Sequence, residues 1–179
     1  CILQEKMNFQ NIGALDIRNA CAGFIFALSV ADQYIKTGTF SNILIVGSEV
    51  QSTAMDLSNN GRDTSVIFAD GAAAAILSST SANMGILSTH LHTEGKYLKE
   101  LWVESPSSKA NPKLNQDILN QGKHFLKMNG REVFKHAVKR FPEVIIEGLK
   151  HNNLSTDDID LLVPHQANVR ISKMIQKKL

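Results

Sequence analysis

Between Asp16 and Leu28 the chain passes abruptly from a strand-like segment into an almost wholly apolar run, Asp16-Ile17-Arg18-Asn19-Ala20-Cys21-Ala22-Gly23-Phe24-Ile25-Phe26-Ala27-Leu28. Ala14 to Ile17 reads as a half-buried strand end. From Ala22 to Ala31 no residue is charged and Ser29 is the one hydroxyl, which predicts a helix apolar all round and therefore interior. Cys21 stands where the strand gives way to the helix. The unpaired N–H groups and positive dipole end of a helix start favour thiolate over thiol, so this position suits a nucleophile near neutral pH. The competing reading is that a lone cysteine simply packs, since the residue type is among the most buried.

The 179 residues, 43% hydrophobic and 20% charged, suit a globular chain with one sizeable core or part of a larger one. No apolar run approaches the roughly 20 residues that span a bilayer, and the opening Cys1-Ile2-Leu3-Gln4-Glu5-Lys6 has no signal-peptide pattern, which predicts a cytoplasmic protein with no membrane partner. Cys1 and Cys21 make no disulfide framework and no zinc site. A net charge of +2 gives no argument for nucleic acid. The chain opens in a helix-like run, Ile2 to Asn8, and stops at Lys177-Lys178-Leu179 within another. Both ends predict an interior fragment.

Further along, the helix after Cys21 runs to Lys36 with Gly38 as its stop, and Ile43-Leu44-Ile45-Val46 reads as a strand buried on both faces. Strand, helix and strand predict a right-handed parallel crossover, hence an α/β architecture. Gln51 to Asp63 is a polar excursion suited to reaching a ligand, and Asp70-Gly71 is a hairpin signal. Gly85 to Thr93 alternates, placing Ile86, Ser88, His90 and His92 on one face. The two histidines lack a third ligand and predict no metal site. A long polar loop spans Ser105 to Lys123. A helical pattern from Gly130 carries Val133, Phe134, Ala137, Val138, Phe141, Ile145 and Leu149 on one side, with Pro142 predicted to kink or divide it. Ser155 to Asp158 resembles a capped turn, and Ile159 to Val163 a buried strand ended by Pro164. His165 then stands beyond a strand end, where α/β sheets place ligands, and Asn168 suits a helix N-cap. No nucleotide fingerprint is present.

Two motifs read together, Ala20-Cys21-Ala22-Gly23-Phe24 and Val163-Pro164-His165-Gln166-Ala167-Asn168-Val169-Arg170-Ile171, resemble the β-ketoacyl-acyl carrier protein synthase III family of thiolase-fold condensing enzymes. Val46-Gly47-Ser48, Phe68-Ala69-Asp70-Gly71-Ala72, Ser88-Thr89-His90-Leu91-His92 and Gly130-Arg131-Glu132-Val133-Phe134-Lys135 extend the resemblance over essentially the whole chain. It implies an α/β, thiolase-like layered α-β-α-β-α fold with mixed sheets, present here only in part. Residues 1–84 would end the N-terminal half, which carries the nucleophile, and residues 85–179 would begin the C-terminal half, which carries the histidine.

By the same resemblance Cys21 takes an acyl group from acyl-CoA, most often acetyl-CoA, and His165 stabilises the enolate formed when malonyl-acyl carrier protein loses carbon dioxide. Arg62, Met128, Asn129, Gly130, Phe134 and Asn168 would line the CoA and phosphopantetheine channel, and Phe68 the acyl pocket. Gln166, Ala167, Asn168, Val169 and Arg170, with Lys135, Lys177 and Lys178, would dock the acidic carrier protein. The family's third catalytic residue, an asparagine in a Gly-Asn-Thr/Ser segment, has no match in these residues. No cofactor is implied, CoA thioester and malonyl group being substrates, and a homodimer is expected. The alternatives are a related synthase of the type III polyketide, quinolone or long-chain ketone-forming kind, a non-catalytic partner subunit of the same fold, or a cysteine hydrolase, whose signature around the cysteine differs.

Overall fold

A computed structural model describes all residues 1–179, which form two compact units. The first comprises Cys1–Gly47 and Ala74–Ser81, the second Ser48–Ala73 and Ala82–Leu179.

The first unit opens with a short helix α1 (Ile2–Lys6) and an irregular stretch, then a 3₁₀ turn (Ala20–Ala22) that runs directly into helix α2 (Gly23–Lys36). Helix α2 stops as its sequence demands, with Gly38 at φ +72°, a left-handed conformation that costs glycine nothing. Its packing departs from expectation. Only Ala31 and Asp32 are buried, while Phe24 and Ile25 remain exposed, because few residues of this unit cover the helix. Asp32, just past the uncharged stretch, is tolerated in its buried place because Lys36 Nζ lies 2.8 Å from its carboxylate one turn on. Strand β1 (Asn42–Glu49) pairs with β2 (Gly71–Ser78). Ser79 N–H donates to Ser41 O at 3.0 Å and Ser78 Oγ to Asn42 Oδ1 at 2.7 Å, setting the start of β1 against the end of β2.

The expected parallel crossover is therefore absent: the partner of β1 is β2, and Ala14–Ile17 is irregular chain. Gly85–Thr93 and Ile159–Val163 likewise form no ladder, although their composition is strand-like. A strand exists only through its hydrogen-bonded neighbours, and these segments have none among residues 1–179. Leu161 is 79% exposed and Val163 73%, so the apolar faces that suggested burial are open. The hairpin at Asp70-Gly71 is also absent. A type I′ turn needs positive φ at Gly71, which does not occur, and residues Arg62–Ser65 form a short helix α3 rather than a first hairpin strand. Asp70 serves otherwise: its carboxylate accepts the Ser52 N–H and the Ser52 Oγ–H, both at 2.7 Å.

In the second unit strands β3 (Leu101–Val103) and β4 (Leu126–Met128) pair antiparallel, Trp102 opposite Lys127, and close the base of the polar loop that holds helix α4 (Gln116–Asn120). Helix α5 (Gly130–His151) is the longest element; α6 (Val169–Gln176) packs on it and buries Ile171 and Ile175. Pro142 neither ends nor divides α5, which is continuous over 22 residues. Proline cannot supply the N–H owed to the carbonyl four residues earlier, that of Val138. Lys178 Nζ donates to that oxygen at 2.7 Å. The capped turn is as expected, with Ser155 N–H and Oγ donating to Asp158 Oδ2 at 2.7 and 2.8 Å.

The Ser52 hydrogen bonds hold the Asp70 carboxyl below the usual carboxylate range, led by that of the backbone N–H. A carboxyl depressed on folding contributes stability above its unfolded pKa and loses it as pH falls through the folded value. Asp70→Ala should therefore lower the melting temperature at pH 7, and the difference from the parent should vanish in acid below about pH 3 in paired thermal melts.

Candidate active site

Cys21 is the middle residue of the 3₁₀ turn that opens α2, and it is exposed; neither cysteine forms a disulfide. The turn hides a feature that no sequence pattern revealed. Ala20 has φ +46°, a left-handed conformation that is rare for a residue with a Cβ and that redirects the backbone just before the thiol. A left-handed residue just before an exposed cysteine at the start of a helix suits the presentation of a side chain for attack. Ala22 is exposed, and a Cβ at Gly23 would meet nothing within 4 Å.

His165 follows Pro164, in the irregular stretch before α6, and is exposed. Cys21 belongs to the first unit and His165 to the second. Asn168 caps α6, its Oδ1 accepting the Arg170 N–H at 2.9 Å, so the expected cap is observed. Gln166, Ala167, Val169 and Arg170 are exposed beside it.

The second unit gathers most of the residues expected at a CoA channel. Arg62 begins α3, which packs on β4, whose last residue is Met128. Asn129 N–H then donates to Glu100 O at 2.8 Å while its Oδ1 accepts from Glu132 N–H at the start of α5, and Gly130 follows. Phe134 lies one turn on and is half-buried, as is Phe68. Asn129 also caps α5, a role legible in the Asn-x-x-Glu spacing.

The basic residues divide. Arg170 and Lys177 are exposed, Lys135 Nζ lies 3.4 Å from Glu132 Oε2 on its own helix, and Lys178 is engaged by Val138 O. The histidines on the alternating segment face one way, as expected, but converge on a carboxylate. His90 Nδ1 lies 3.0 Å from Glu147 Oε1 and His92 Nε2 2.7 Å from Glu147 Oε2, and these contacts, His90 first, keep the Glu147 carboxyl below its usual range. A groove of about 390 Å³ lies beside them, lined by residues that include Ile86, Ser88, His90, Gly148 and Asn152. Its polar members are spent on one another, Asn152 Nδ2 donating to Ser88 Oγ at 2.7 Å and Ser88 Oγ lying 2.9 Å from His90 Nε2.

Comparison with known proteins supplies the class. The profile of the family described as 3-Oxoacyl-[acyl-carrier-protein (ACP)] synthase III matches residues 15–95, a span that includes Cys21. All 179 residues are 41% identical to a Beta-ketoacyl-[acyl-carrier-protein] synthase III of Methylococcus capsulatus and 38% identical to one of Clostridioides difficile, covering 53% of each. Among solved structures, 3-oxoacyl-[acyl-carrier-protein] synthase III from Aquifex aeolicus superposes with a TM-score of 0.85 at 35% identity, over 99% of this chain and 52% of that one. The corresponding synthase of Thermus thermophilus gives 0.85 at 32% identity over the same shares. The fold is thus an α/β fold of the thiolase-like class. The chain is similar to proteins of the 3-oxoacyl-[acyl-carrier-protein] synthase III family, and it spans about half the length of the curated relatives it matches.

Relief of the strain at Ala20 separates folding from presentation of the thiol. Ala20→Gly should raise stability by about 1 kcal/mol, as left-handed backbone costs glycine little, and should slow alkylation of Cys21 by iodoacetamide. Chemical denaturation and adduct formation with time, both on the full-length protein, measure the two effects.

Proposed function

We propose that the full-length protein is an acyltransferase that initiates fatty-acid synthesis. It would condense acetyl-CoA, or another acyl-CoA, with malonyl-acyl carrier protein to give a β-ketoacyl-acyl carrier protein. The observation that carries this reading is the placement of Cys21: exposed, beside a left-handed alanine, at the opening of α2, within the span matched by the family profile. The thiolate attacks the acyl-CoA carbonyl, CoA leaves as its thiolate and takes up a proton from solvent, and the acyl group stays as a thioester on Cys21. In the second half-reaction the malonyl group loses carbon dioxide, and the resulting carbanion attacks that thioester and releases the Cys21 thiolate. His165 donates a hydrogen bond to the malonyl thioester oxygen as negative charge develops there. The Cys21 backbone N–H contributes to the oxyanion hole of the first step.

Arg62, Met128, Asn129, Gly130, Phe134 and Asn168 are assigned to CoA and phosphopantetheine, Phe68 to the acyl group, and exposed Arg170 with Lys177, Lys135 and the Gln166–Val169 segment to the acidic carrier protein. Residues 1–84 and 85–179 are assigned to the two thiolase-like halves. No helix is long and apolar enough to cross a membrane, and we place the protein in the cytoplasm as a homodimer without a cofactor.

Separated half-reactions on the full-length protein test the division of labour. His165→Ala should leave acyl loading from acetyl-CoA intact and lower condensation by about 100-fold or more, the scale of losing one oxyanion-type donor. Equal loss of both half-reactions would contradict that role. Arg170→Ala should raise KM for malonyl-acyl carrier protein, less so at high salt, and leave KM for acetyl-CoA unchanged in steady-state kinetics.

A further inference from the structure

Helix α5 contains a defect and the chain supplies its own repair. Pro142 is buried within a continuous 22-residue helix, so the Val138 carbonyl is deprived of the N–H that any other residue at 142 would offer. The oxygen does not go unanswered. Lys178, just past the end of α6, reaches back and donates its ammonium to it at 2.7 Å. A lysine at a helix end is ordinarily left solvated, since holding its four-carbon stem in one geometry costs rotamer freedom. Here the acceptor is an orphaned carbonyl, which makes a charge-assisted bond worth more than another surface contact.

The consequence reaches His165 through α6. That helix has only eight residues, and its buried anchors are Ile171 and Ile175. Ile171, Ile175 and Lys178 follow one another at helical spacing, so the ammonium continues the face that packs on α5. His165 stands three residues before the Asn168 cap, so α6 holds its backbone on the C-terminal side.

We infer that Lys178 is a positioning residue: by taking up the carbonyl that Pro142 leaves bare, it locks α6 on α5 and so sets the place of His165. This rests on the condensation role proposed for His165 and reassigns Lys178 away from the carrier-protein surface. The two assignments predict opposite kinetics. A docking charge acts on KM for the carrier protein, whereas a lock acts on kcat of the step that uses His165.

The test is a double-mutant cycle on the full-length protein, because Pro142→Ala restores an N–H for Val138 and so removes the vacancy that draws the lysine in. Lys178→Met should lower kcat for condensation about 3- to 10-fold, a modest displacement being enough, at unchanged KM for malonyl-acyl carrier protein and unchanged acyl loading. Lys178→Arg should recover the parent rate. Pro142→Ala should lower kcat in the same direction, since it weakens the pull on Lys178, and Pro142→Ala/Lys178→Met should lose no more than Lys178→Met alone. Amide hydrogen exchange across Val169–Gln176 should accelerate in Lys178→Met and to the same extent in the double variant. A raised KM without loss of kcat, or full recovery of the parent rate in the double variant, would overturn the inference. Absence of condensation by the parent would instead overturn the functional reading, while exchange that is the same in all four proteins would overturn the lock by itself.

Discussion

Helix α5 is the member to which the second unit is tied, and the ties are polar side chains acting where strand ladders are missing. Glu147 draws in His90 and His92, Arg140 bridges Glu143 on the helix to Glu94 at 2.7 Å each, and Val138 receives Lys178. Mutual hydrogen bonding raises the Arg140 guanidinium further above its already high pKa, Glu143 contributing first, and lowers that of Glu94. Each exposed pair is individually weak, since solvent screens it. Together they fix the middle and the C-terminal part of one helix against two stretches of chain, residues 90–94 and the segment after α6. Few apolar side chains of the second unit are completely enclosed: Ile175 is fully buried and Ile171 nearly so, both from α6.

The first unit works differently. Its organising event is local, a left-handed alanine followed by one 3₁₀ turn and fourteen helical residues. The thiol is carried where the backbone is bent and the helix dipole begins, and it remains exposed. Asp70 and Gly61 show similar local economy in the polar segment of the second unit. A Cβ on Gly61 would fall 1.9 Å from Asp56 O, so the residue is glycine for lack of room rather than for its torsion angle.

What could be read in advance followed from interactions close in sequence. The start and stop of α2, the caps Asn168 and Ser155, and the periodicity of α5 all depend on residues within a turn or two of one another. Cys21 and His165 were legible as candidates from their motifs. The rest depends on partners far away in the chain. Ile159–Val163 has a strand's composition but no ladder, and Asp70-Gly71 has a hairpin's dipeptide but a carboxylate already committed to Ser52. Pro142 carries a correct local warning, a missing donor, whose answer lies 40 residues on at Lys178. The left-handed Ala20 leaves no trace in composition because alanine gives no hint of positive φ.

The central claim is that Cys21 accepts an acyl group from a CoA thioester. Intact-mass measurement of the full-length protein after incubation with acetyl-CoA, beside its Cys21→Ala variant, tests it most directly. The account predicts one added acetyl group on the parent and none on the variant. A folded parent that stays unmodified by acetyl-CoA and by longer acyl-CoAs, or an adduct that persists in Cys21→Ala, would contradict it.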